Sequence, residues 1–144
     1  MRIDGEWLLC EDGIKRPVIR GEILADNGSW QAIELLVDTG ADRTVLSAPT
    51  SAALHLQAHE TQNRLGGVGG IVNSVDIETQ IRLYRETKGT VVFHGQYADV
   101  TELNALDMSV LGRDILGLFS VIVDQPGGVI CLLGQRHQYR IEQN

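Results

Sequence analysis

Aromatic side chains are scarce in this 144-residue chain, at 5% of positions, and proline occurs only three times. Cysteine occurs twice, as Cys10 and Cys131, far apart and without metal-ligand spacing. That excludes a disulfide-rich scaffold and a cysteine-based zinc module. Two free, partly buried thiols are expected, with a bridge between the chain's ends as the alternative. Positive charge is also in short supply, with 12 Lys and Arg against 19 Asp and Glu and a formal net charge of -7. A surface of that sign repels phosphate backbones and anionic lipid, and no basic run or aromatic–basic stripe offsets it. Neither nucleic acid nor a membrane is an expected partner. No apolar run approaches the roughly 20 residues that cross a bilayer. Asp4, Glu6, Glu11 and Asp12 near the start are unlike a secretory leader. The expected compartment is the cytoplasm, or the interior of whatever particle or polyprotein carries the domain.

Glycine, by contrast, is abundant at 16 residues, and the apolar 43% is dominated by Val, Ile and Leu. That mixture favours strands and tight turns over a helical bundle. Val18 to Leu24, Asn27-Gly28 and Trp30 to Val37 predict a hairpin with a type I′ turn. Thr44 to Ser47 predicts a short strand and Pro49 to Leu56 a brief helix, with Pro49 tolerated in its first turn. Val75, Ile77, Ile81 and Leu83 alternate with polar neighbours, the period of a half-buried strand. Thr90 to Val100 and Ser109 to Leu111 continue the pattern, and Arg113 to Phe119 predicts one or two helical turns. Ser120 to Val123 and Val129 to Leu133, joined through Gln125-Pro126-Gly127-Gly128, predict a final hairpin. No linker or repeat divides the chain, so residues 1–144 are expected to form a single all-β domain, a closed barrel or sandwich with one or two short helices. A weak internal echo runs two apolar segments into glycine, Glu34 to Gly40 and Met108 to Gly112.

Chemistry concentrates at Leu36-Val37-Asp38-Thr39-Gly40-Ala41-Asp42, where an apolar strand drives straight into an acid. Gly40 allows a sharp turn there with no side chain in the way, and Thr39 adds a hydroxyl that can brace it. Alone, Asp-Thr-Gly is equally compatible with a polar turn after a strand. Three ordered motifs together resemble the retroviral-type, or retropepsin, aspartic proteases. They are the Asp38 segment, the glycine run Gly66-Gly67-Val68-Gly69-Gly70, and Val110-Leu111-Gly112-Arg113-Asp114. Arg16-Pro17-Val18 is similar to the step that opens the family's first long strand, so the resemblance spans about residues 16–116.

The resemblance implies an aspartic endopeptidase needing neither metal nor organic cofactor, with Asp38, Thr39 and Gly40 in the catalytic loop. Such chemistry requires two carboxylates sharing one proton. The chain has only one such triplet, so two copies would meet as a homodimer with Asp38 facing Asp38. Thr39 would bond across the two-fold axis. Gly40 and Asp42 would line the backbone of an extended peptide substrate, with Ala41 also counted among the substrate-contacting positions. Leu36 and Val110 would wall apolar pockets. Asp42 would pair with Arg113 of its own chain and with Arg16 of the other copy. The run from Gly66 to Gly70 would be the tip of a hairpin flap closing over substrate. Ala41 cannot donate the hydrogen bond that Ser or Thr would offer the catalytic carboxylate, which places the expected activity optimum at mildly rather than strongly acidic pH.

Two departures from the family stand out. Arg43 takes a place where viral enzymes often carry an acid, leaving substrate preference open. The chain also continues 28 residues beyond Leu116. Its 120–133 hairpin is therefore the candidate dimer interface. A non-catalytic dimer acting as a peptide-binding or assembly module is the alternative reading. His55 and His59 stand four apart like a helical zinc pair, but Leu56 occupies the place of the accompanying glutamate, so no metal site is expected.

Overall fold

The structure, a computed structural model, describes residues 1–67, 70–100 and 106–134, with backbone alone for 59–67 and 70–72. In chain order the elements are β1 (Arg2–Asp4), β2 (Glu6–Leu9), β3 (Lys15–Leu24), β4 (Trp30–Val37), β5 (Val45–Leu46), α1 (Ala48–Leu54), β6 (Ala58–Gly67), β7 (Gly70–Tyr84), β8 (Thr90–Val100), β9 (Ser109–Leu111), α2 (Arg113–Leu116), β10 (Ser120–Asp124) and β11 (Val129–Leu133). Eight strands form one sheet in the order β2-β3-β4-β9-β5-β8-β7-β6. A further antiparallel pairing of β3 with β7, Gly21 opposite Leu83, closes the sheet on itself. At that seam a Cβ on Gly21 would lie 2.5 Å from the Arg82 carbonyl oxygen, so the closure needs glycine. The fold is thus an all-β closed barrel with two short helices.

Strand alternation sorts side chains between two apolar clusters. Ile33, Leu35 and Val37 of β4 join Ile19, Ile23, Leu46, Ile81, Leu111 and Leu132 in the main core. Leu36, on the opposite face of β4, packs instead on a second cluster built from Val45, Ala98, Val100 and Val110. Parallel pairing of β4 with β9 sets Leu36 beside Val110 and Val37 beside Leu111. The two apolar-to-glycine segments that echo one another in sequence are therefore neighbours in space.

The hairpin between β3 and β4 forms, but its turn is not type I′. Of Asn27 and Gly28 only the glycine has positive φ. The amide of Gly28 donates to the Ala25 carbonyl at 3.1 Å, and Asn27 Oδ1 accepts from the Ser29 amide at 2.9 Å. The Asn27 side chain caps the amide two residues on, and the loop turns around a single left-handed glycine. The helix after Ser47 starts one residue before Pro49, and its carboxyl end is capped by His55 in left-handed backbone.

The amino-terminal strands have no counterpart among the sequence expectations. β1 pairs with β11 and β2 with β3, so the chain changes sheets at Gly5. A Cβ there would come within 2.5 Å of the Val18 carbonyl oxygen, and the Gly5 amide donates to Ile130 at 2.8 Å. β1, β11 and β10 make a separate three-stranded sheet. Cys10 and Cys131 are both free thiols.

Candidate active site

β4 delivers Asp38 to the mouth of a tight turn. The Asp38 amide donates to Leu111 of β9 at 3.2 Å, anchoring the strand end before the chain leaves the sheet. The Ala41 amide then donates to the Asp38 carbonyl at 3.2 Å, while the Gly40 amide donates to Asp38 Oδ1 at 2.8 Å. Asp38 is half-buried, and Thr39 and Gly40 are exposed. Gly40 is not in left-handed backbone. Its requirement is space, because a Cβ would stand 3.1 Å from Asp38 Oδ1 and crowd the carboxylate.

Residues downstream pin this loop from below. Thr44 has no solvent exposure. Its amide donates to Asp114 Oδ2 at 2.9 Å and its hydroxyl to Asp114 Oδ1 at 2.7 Å. The Gly112 amide donates in turn to Thr44 Oγ1 at 3.1 Å. A Cβ on Gly112 would fall 2.2 Å from the Arg43 carbonyl carbon, so the two loop segments touch backbone to backbone. The first amides of α2 complete the attachment, Arg113 donating to Ala41 at 2.8 Å and Asp114 to Asp42 at 3.2 Å. Thr44, Gly112 and Asp114 received no role from the sequence. Their signal was the Gly-Arg-Asp that follows an apolar strand, whose glycine and acid serve the loop rather than the substrate.

Arg113 pairs with Asp42, and its Nη1 also donates to the Thr39 carbonyl at 3.4 Å. Both side chains are exposed, so the pair orients the loop more than it stabilises it. Arg16 is engaged within its own chain by Asp12, at 2.6 Å and 3.0 Å to the two carboxylate oxygens. A cross-chain contact of Arg16 with Asp42 would have to compete with that fork. Arg43 reaches across to Asp76 of β7 at 2.8 Å, tying the Asp38 loop to the long strand that begins in the glycine run.

β6 and β7 are antiparallel up to Gly66 opposite Ile71 and Gly67 opposite Gly70. Val68 and Gly69 lie outside the described residues. Leu36 and Val110 line an open cavity of about 880 Å³, together with Leu8, Arg16, Leu106 and Met108. Leu36, a residue of β4 in this lining, lies two positions before Asp38 in the chain. A cavity of about 400 Å³ beside Leu24, Leu56 and His94 contains none of the motif residues. Among the described residues no three His, Cys, Asp or Glu side chains converge as a metal site would require.

Residues 27–118 match the family described as "gag-polyprotein putative aspartyl protease". The fold is similar to that of the EIAV protease complexed with the inhibitor HBY-793, at 26% identity and a TM-score of 0.52, over 72% of this chain and 86% of that one. It is also similar to a retropepsin-like aspartic protease from Rickettsia conorii, at 19% identity and a TM-score of 0.55, over 92% of this chain and 88% of that one.

Proposed function

Because this chain belongs to the gag-polyprotein aspartyl protease family, with the retropepsin-like fold, we propose that it is an endopeptidase whose catalytic dyad is Asp38 of two identical copies. The observation that carries this reading is the setting of Asp38. One carboxylate oxygen is fixed by the Gly40 amide, the backbone is tied to β9, and Leu36, two residues earlier, lines an open cavity. One acid of this kind per chain is half of an acid–base pair. With two, the ionised carboxylate draws a proton from a water that attacks the scissile carbonyl. The protonated partner polarises the carbonyl oxygen and later supplies the proton to the leaving nitrogen.

An extended peptide suits the surroundings, since the loop at Asp38 and the β6–β7 hairpin both offer backbone groups to a strand laid between them. In this reading the hairpin acts as a flap that excludes water, and Arg43 with Asp76 fixes one of its strands to the catalytic loop. Copies would meet through the β10–β11 hairpin, whose outer strand β10 is an edge of its sheet.

Cleavage of a denatured protein from about pH 3 to 7 tests the proposal, comparing wild type with Asp38→Asn. Activity should rise steeply with protein concentration, peak at mildly acidic pH and vanish in the variant. No cleavage by a wild-type sample that is demonstrably dimeric would overturn it.

A further inference from the structure

The cavity beside Leu36 and Val110 has a wall that lies outside the family match. The turn between β2 and β3 supplies it, contributing Leu8, Leu9, Cys10, Glu11 and Asp12 to the lining. This turn is well braced. The Cys10 amide donates to Ile14 at 3.0 Å and Gly13 to Cys10 at 2.9 Å. Asp12 Oδ1 also accepts from the Ile14 amide at 3.0 Å. Trp7 fastens the preceding strand by donating to the Asp124 carbonyl at 3.2 Å. Leu9, at 63% exposure, leaves an uncovered apolar side chain at the cavity mouth.

Arg16 is the only cation in that lining. Left free, it would draw an acidic side chain into the cavity. Both of its terminal nitrogens are instead taken by the two oxygens of Asp12, a bidentate fork that leaves little field for a ligand. The Arg16 guanidinium holds the Asp12 carboxyl well below the usual range, at about 2, so the fork persists across mildly acidic pH. What remains is a floor of Leu8, Leu36, Leu106, Met108 and Val110 under a rim bearing Glu11, Glu34 and Asp107. Glu34 shares Arg20 at 3.2 Å, whereas Glu11 and Asp107 make no ion pair among the described residues.

We infer that this half-cleft is a subsite for a lysine or arginine of the substrate, with Asp12 as the specificity-determining residue because it cancels the one cation there. A long basic side chain lays its aliphatic stem on apolar surface and keeps its charged head at a polar rim, the two halves of this cavity. The inference rests on the cleft binding an extended peptide, as proposed above. A two-fold dimer would present the subsite twice, so the preference should appear on both sides of the scissile bond.

Two readouts separate this inference from the protease reading. Matched peptides, with Lys, Leu or Glu within three residues of an apolar scissile pair, are titrated against the Asp38→Asn protein and digested by wild type. Lys should bind and be cleaved about tenfold better than Glu, as expected for one or two partly exposed charge contacts, and the margin should narrow at high salt. Asp12→Asn should free Arg16 and erase or reverse the order. Glu11→Gln, at an exposed side chain without an ion pair, should narrow it even if Asp12→Asn folds poorly. Cleavage or binding that ignores the Lys-to-Glu change, or is indifferent to both substitutions, overturns the inference alone. Binding with the Lys preference but no turnover upholds it and overturns the peptidase reading. Failure of every peptide to bind or be cleaved overturns both.

Discussion

Among single side chains the Asp38 loop leans most on Thr44, whose buried hydroxyl donates to Asp114 and accepts from Gly112. Valine has the same shape but neither bond, and would leave the buried Gly112 amide without its partner and take one of two donors from Asp114 Oδ1. Thr44→Val should cost about 2–3 kcal/mol, a fall of roughly 5–10 °C in Tm for a domain of this size. Peptidase activity should drop with it, while Thr44→Ser keeps most of both. Thermal melts of the two variants check this, and a loss in Thr44→Ser that Thr44→Val escapes would show that packing of the methyl, not the hydroxyl, matters. The contrast with Asp38 explains what sequence could reveal at this scale. An acid directly after Leu35-Leu36-Val37 and before glycine is an anomaly in a strand and announces itself. Thr44, followed by Val45 and Leu46, looks like any β-branched residue, and its role exists only because β9 and α2 arrive from 70 residues further on.

Elements with their own periodicity were legible. β8 spans Thr90–Val100 and β9 spans Ser109–Leu111, the ranges that β-branched and apolar runs mark in the sequence. β1 and β2 were not, because Arg2-Ile3-Asp4 and Glu6-Trp7-Leu8-Leu9 are too short to show a period and are held by partners distant in sequence. The pairing of β6 with β7 on either side of the glycine run follows from the strand signals beside it, but the link of β7 to Arg43 through Asp76 does not, since nothing local pairs residues 33 apart. Packing of α1 against β8 creates another feature invisible in sequence. Asp99 of β8 is only 7% exposed, and its Oδ1 has no hydrogen-bond partner. Burial pushes its carboxyl up from the ordinary 3.8, partly opposed by a hydrogen bond from Ser51 of α1. A carboxyl raised in the folded state adds stability while it is protonated, and that contribution is lost as pH rises through the folded value. Through Asp99 the barrel is therefore favoured by mildly acidic conditions. Asp99→Asn, which removes the charge and keeps the shape, should raise Tm at pH 7, with the gain shrinking toward pH 4. Melting both proteins across that range decides it, and a loss of the same size at every pH would contradict the assignment.

At the scale of the whole molecule, the proposed Asp38 dyad requires two barrels to meet. The sheet β1-β11-β10 has β11 at its centre, and β10 has no other strand beside it among the described residues. Ile122 and Val123 of β10 are 36% and 47% exposed, and Val129 across the hairpin 37%. An apolar strand edge left open in this way is a liability unless something pairs with it. Antiparallel pairing of β10 with its own copy would satisfy that edge about a two-fold axis and join the two three-stranded sheets into one. It would also couple the interface to the cleft. The hairpin is bonded to the amino-terminal strands through Trp7 on Asp124 and Gly5 on Ile130, and the turn after β2 walls the cavity. The double substitution Ile122→Lys with Val123→Lys sets like charges against each other across that axis while leaving the barrel core untouched. Sedimentation should show the variant as a monomer at concentrations where wild type is dimeric, with unchanged far-UV circular dichroism. Cleavage should disappear at those concentrations and return only when the protein is raised by about tenfold or more, the effect of roughly 1.4 kcal/mol or more on association. A variant that stays dimeric and active at wild-type concentrations would move the interface elsewhere on the barrel, and with it the route by which two Asp38 side chains come together.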